Sequence, residues 1–151
     1  VRIAQLAALL RNNPKLFRVC MEANTLDEFY QLFNVAPSHY WSDHYRFGKQ
    51  TTACTKMIGI NTVQNIIINT IIPFLFVYGK KIGDENYTDR ALRLLEQLPP
   101  ENNNIIAGWK NCGWKLRSAF DSQALLQLKS RYCNEKRCLH CAIGSTLLKN
   151  A

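Results

Sequence analysis

The chain has 151 residues, 47% of them apolar and 20% charged, which excludes a disordered tail and leaves enough length for a sizeable core. Nineteen lysines and arginines against eleven acidic residues give a net charge of +8. That excess favours an anionic partner and says nothing about fold.

The opening "VRIAQLAALLRNNP" has too short an apolar stretch for a secretory signal and carries a helical rhythm instead. Its spacing predicts Ile3, Leu6, Leu9 and Leu10 on one buried face. A first residue of Val1, already inside a helical pattern, reads as the C-terminal part of a longer protein. Pro14 can start the next helix, "PKLFRVCMEA". In "TLDEFYQLF", Thr25 with Glu28 three residues on is a capping box. Then "APSHYWSDHYRFGKQ" breaks the rhythm and predicts a short helix and a loop.

From Met57 to Gly79 no residue is charged. A membrane span needs about 20 predominantly apolar residues. This segment interleaves Asn61, Thr62, Gln64, Asn65, Asn69 and Thr70, so a central buried helix, capped by Asn61, is expected instead of a span. Pro73 predicts a kink or break near 70–72. Downstream, "YTDRALRLLEQLPP" is an amphipathic helix with Thr88 as its cap. "ENNNIIAGWKNCG" is a further helix closing at Gly113, with Glu101 expected in its first turn, and Ser118 opens the next, with Asp121 in its third position. No segment shows a clean strand alternation. The expected fold is all-α: a single compact multi-helix domain over 1–151, around the central uncharged helix, with a short cysteine-rich turn near the C-terminus.

The blocks "RIAQLAALL", "WSDHYRFG", "IGINTVQNIIINTIIPFLFVYG", "LPPENNNII" and "SAFDSQALLQLKSRYCNEKRCLHCAIG" together resemble the C-terminal half of a bacterial family, domain-of-unknown-function family 2851. The resemblance covers nearly the whole chain, and its last block is the most specific. It implies an additional N-terminal region in the full-length protein, with which this part would associate. It supplies no activity, substrate or cofactor.

Six cysteines, three of them scattered, do not make the dense framework of a small secreted domain; reduced thiols and a cytoplasmic location are expected. Cys133, Cys138 and Cys141 follow a Cys-x4-Cys-x2-Cys spacing. A Cys-x2-Cys pair can converge on tetrahedral zinc, and Lys136 and Arg137 between the thiols favour thiolates. A fourth ligand would come from His44 or Cys112, with His39 and His140 also available; His140 is awkward because it adjoins Cys141. The same spacing occurs in plant-type ferredoxins, but those are largely β, so zinc is preferred to an iron–sulfur cluster. Unliganded thiols and a disulfide stay open as alternatives.

Between Trp109 and His140 lie seven basic residues and two acidic ones, Asp121 and Glu135, so this fifth of the chain carries most of the net charge. Lys129, Arg131, Lys136 and Arg137, with Trp109, Trp114 and Tyr132 among them, form the candidate nucleic-acid surface. The bland alternative is a solvated basic face over core tryptophans, and no recognised nucleic-acid motif is present. His44 beside Asp43 is the best proton-transfer candidate, with Glu101, Asp121 and Gln123 as polar company; no spacing requires catalysis, and no phosphate loop, HExxH or nucleophile elbow occurs. Two functions therefore stand: a helical binding or scaffolding module with a zinc clasp, associated with nucleic acid, or an accessory domain of an enzyme whose chemistry lies mainly in an N-terminal region.

Overall fold

The computed structural model describes residues 1–149 and is 66% helical, with one small two-stranded sheet. The all-α expectation holds. The chain divides into two compact units, Val1–Leu94 and Leu95 onward.

The first unit holds α1 (Arg2–Asn12), α2 (Leu16–Glu22) and α3 (Leu26–Leu32). Thr25 caps α3: its Oγ1 accepts from the Glu28 N–H at 3.3 Å, while Glu28 Oε2 accepts from the Asn24 N–H at 3.1 Å. The capping box is therefore present, with its return bond shifted by one residue. A 3₁₀ turn over His39–Ser42 leads into an antiparallel hairpin, β1 (His44–Arg46) and β2 (Lys49–Gln50). Phe47 and Gly48 make the turn, with Gly48 at φ +67°, a value that suits glycine. The expected loop is thus a short hairpin.

The uncharged segment forms α4 (Ile60–Ile66), a π-helical turn (Ile67–Ile71) and α5 (Ile72–Ile82), one continuous helix of 23 residues. Pro73 lies inside this continuous helix, where its missing N–H leaves one backbone carbonyl of the preceding turn without its helical partner, and the wider turn just before it accommodates the ring. The predicted irregularity is present, as a π-turn in place of a break. Gly59, not Asn61, occupies the N-cap. By length and apolarity the helix could cross a membrane, and a third of its most apolar stretch is buried. It is not buried all round. Val63, Ile67, Ile71 and Leu75 face the core, while Ile60, Phe74 and Val77 are exposed.

Gly83 ends α5 in the left-handed region, φ +71°. In α6 (Glu85–Gln97), Thr88 is not the cap; it lies inside the helix and its hydroxyl donates to the Glu85 carbonyl. Asp84 Oδ1, which accepts from the Asn86 N–H at 3.0 Å, satisfies the helix start instead. The fully buried Phe29, Ile67 and Leu75 centre this core. Each contributes about 1.5–3 kcal/mol of burial.

α1 departs most from its pattern. Gln5, Ala8 and Leu9 are buried, whereas Ile3, Leu6 and Leu10 are more than half exposed. The reason is polar: the Gln5 side chain donates to the carbonyls of Lys56 (2.7 Å) and Met57 (3.1 Å), and those bonds turn its side of the helix inward.

The second unit contains α7 (Asn104–Asn111), α8 (Ala119–Leu128) continuing through a π-turn (Lys129–Cys133), a 3₁₀ turn (Cys138–His140) and α9 (Ala142–Lys149). Asn103 caps α7 through its side chain, and Glu101 precedes the helix instead of occupying its first turn. Leu98, Ile106, Ala119 and Ser122 are almost wholly buried here.

Candidate anion-binding cleft

The basic residues near the C-terminus are positioned by the way α8 ends. The π-turn bonds the Asn134 N–H to the Lys129 carbonyl at 2.9 Å. The Arg137 N–H then reaches back to the Tyr132 carbonyl at 2.9 Å. Lys136 holds a left-handed conformation, φ +54°, uncommon without glycine. This reversal returns Arg137 and His140 beside Arg131 and Tyr132. With Gln127 they line one cleft of about 530 Å³.

Among the described residues, no carboxylate lines the cleft. Glu135 pairs with Arg137 at 2.7 Å, but both side chains are largely exposed, so the pair is weak and separable. Two guanidinium forks beside a phenol ring suit an anionic oxygen group: the forks donate in pairs, and the ring offers a stacking face. Of the four predicted basic residues, the structure brings Arg131 and Arg137 together. Lys129 is half-buried and Lys136 sits at the reversal, both outside the cleft lining. Gln127 was not anticipated; a polar residue one turn before Arg131 on a basic helix was its only signal.

The three clustered cysteines fare differently. All six cysteines are free thiols; Cys133 and Cys138 are exposed while Cys141 is buried. Among the described residues, no group of three or more His, Cys, Asp or Glu side chains is arranged to hold a metal ion. The spacing alone does not bring the thiols into a ligand set. Cys141 instead immediately precedes α9, its carbonyl accepting from the Ser145 N–H at 2.8 Å. A Cβ on Gly144 would lie 2.6 Å from the Cys138 carbonyl oxygen, so only glycine lets α9 pack this closely on the turn.

His44 belongs to the first unit. Its Nδ1 lies 2.7 Å from Asp43 Oδ1 and 2.9 Å from the Tyr40 carbonyl, and its ring stacks on Tyr40 at 4.1 Å. Hydrogen bonds from Gln50 and then from His44 hold the Asp43 carboxyl below the usual carboxylate range. Both ends of this pair are tied into the hairpin's own architecture. In the second unit, Glu101 accepts from the Gln123 side chain at 2.5 Å, and Asp121 accepts from the Arg117 N–H at 2.7 Å. These carboxylates therefore do structural work where they stand.

The model of a protein family of unknown function, DUF2851, matches residues 1–104. The chain belongs to that family. The resemblance read from the sequence is thus correct as to family, but the match ends before α8, so the cysteine block and the basic cleft lie beyond it. No curated protein and no solved structure matches the chain.

Proposed function

We propose that this member of DUF2851 is a helical binding module for nucleic acid, engaging the phosphate backbone through its C-terminal unit. The observation that carries the reading is the gathering of Arg131, Tyr132, Arg137 and His140 on one cleft that no carboxylate lines among the described residues, Glu135 reaching Arg137 only through an exposed pair. The net charge of +8 supports it, because backbone contacts are electrostatic and independent of base sequence. The exposed Lys110, Lys115 and Arg117 extend the basic character of the same unit.

The nucleic-acid reading does not depend on the zinc clasp expected at Cys133, Cys138 and Cys141. A reducing, cytoplasmic setting belongs to the same reading, on the sequence alone: six cysteines in 151 residues do not make a dense disulfide framework. The test is charge reversal: Arg131→Glu with Arg137→Glu. Both side chains are exposed, so the fold should survive the change. Loss of binding to a labelled oligonucleotide is expected, and unchanged binding at moderate salt overturns the reading.

A further inference from the structure

The first unit carries a groove of about 850 Å³ whose composition the nucleic-acid reading of the C-terminal unit does not use. Its floor is α1, where Ala4, Ala7 and Ala8 leave the helix surface low. Its wall is aromatic: Trp41, Tyr45 and Phe47. Its rim is basic, with Arg2, Arg11 and Arg46, and among the described residues no acidic one lines it. Among the described residues, none of these three arginines is in an ion pair.

The aromatic wall is braced by contacts within and beside the hairpin. Phe47 sits at the hairpin tip and is 83% exposed, yet its ring packs edge-on to Trp41 at 5.0 Å. The Tyr40 hydroxyl accepts from the Gly48 N–H at 2.9 Å and so pins the turn that presents Phe47. Lys56 lies over the Tyr45 ring at 4.4 Å and also donates to the Ser42 carbonyl at 2.8 Å. Phe47 does not stand alone: with Trp41, Tyr45 and the exposed Ile3 it makes a contiguous apolar patch beside Arg2 and Arg46, and such a patch marks a binding surface.

We infer that this groove binds the unpaired bases of single-stranded nucleic acid, with Phe47 and Trp41 stacking on bases and Arg2, Arg11 and Arg46 taking the phosphates. Stacking faces set in a carboxylate-free basic groove are what sequence-tolerant single-strand binding requires. Bases in a duplex are already stacked and cannot enter; only unpaired ones can be splayed onto an aromatic wall. The arginine rim supplies the charge complementarity. Val1 and Ile3 also line the groove, so an acidic amphipathic helix is the competing occupant; the three aromatic rings set beside three arginines favour a ligand that carries both flat faces and phosphates.

The experiment is fluorescence anisotropy with a labelled single strand of about 20 nucleotides and with the matching duplex. Phe47→Ala and Arg46→Glu are compared with the Arg131→Glu, Arg137→Glu protein. Both Phe47 and Arg46 are exposed, so the variants should fold, and circular dichroism checks that they do. Each groove variant should weaken single-strand binding about tenfold while moving duplex binding little. Because the two variant sets lie in different units, failure of the C-terminal reading leaves this effect intact, and the converse also holds. The inference is overturned if both groove variants bind the single strand as the parent does. It is equally overturned if a poly-glutamate peptide displaces the strand from the groove at matched charge, which would assign the groove to an acidic peptide.

Discussion

Gln5 and Lys56, 51 residues apart, are joined by a buried 2.7 Å hydrogen bond from the Gln5 side-chain amide to the Lys56 carbonyl. Lys56 in turn anchors Ser42 and covers Tyr45. One polar chain therefore ties α1 to the aromatic hairpin and sets the floor of the groove against its wall. Neither residue would be placed in a core by its type alone.

Replacing Gln5 with alanine removes both bonds and leaves two carbonyls without partners. A loss of about 1–3 kcal/mol is expected, the usual cost of an unsatisfied buried polar group. Urea unfolding should show a lower midpoint with an unchanged slope. A midpoint equal to the parent's would mean that water replaces the amide without cost.

Two glycines in helices should respond in opposite directions. A Cβ at Gly79 would lie 2.8 Å from Tyr87 Cβ and 2.9 Å from the Asp84 carbonyl, where α5 meets the start of α6. Gly79→Ala should therefore cost about 1–3 kcal/mol by overpacking. Gly108, within α7, has nothing within 4 Å of that position. Gly108→Ala should raise stability by about 0.5–1 kcal/mol, because alanine is the better helix former. Thermal unfolding of the two proteins side by side checks the contrast.

The thiols should divide by exposure. Cys54, Cys112, Cys133 and Cys138 are exposed and should react promptly with a chromogenic disulfide reagent. Cys141 is buried, and Cys20 is half-buried with its thiol pushed up by that burial, so both should lag. If Cys133 and Cys138 resisted the reagent until a chelator was added, a metal would be holding them, contrary to the geometry described above.

Acid should destabilise the first unit in a defined direction. Glu28 is held below the usual carboxylate range, first by the Thr25 hydroxyl and then by the Asn24 N–H; Asp43 is held low by Gln50 and His44. A depressed folded-state pKa contributes stability above the unfolded value, roughly pH 4, and loses it as pH falls through the folded value. Melting temperature should hold near neutrality and drop below about pH 4. Glu28→Gln and Asp43→Asn should flatten that drop. An unchanged acid limb in both would place the sensitivity elsewhere.

Much of the helical order was legible because it is local. The Thr25 box and the Pro73 irregularity each follow from a few neighbouring residues. What failed was long-range. The apolar face predicted for α1 is exposed at Ile3, Leu6 and Leu10, because Gln5 finds its partners at Lys56 and Met57. The hairpin escaped notice because three- and two-residue strands carry almost no alternation, although the Phe-Gly pair at its tip was a turn signal. At the candidate site, charge density pointed to the correct segment. Which basic residues share a cleft depended on the wide turn at the end of α8 and on the left-handed Lys136, and neither leaves a mark in residue spacing.

The central claim is that the C-terminal cleft takes nucleic-acid phosphates. The most direct measurement is the salt dependence of oligonucleotide affinity for the parent and for the Arg131→Glu, Arg137→Glu protein. Each lost phosphate contact should lower the slope of log affinity against log salt by about 0.7 for a single strand. The account predicts a shallower slope, by roughly two contacts' worth, and weaker binding at every salt concentration tested. Identical slopes and affinities for the two proteins would contradict it.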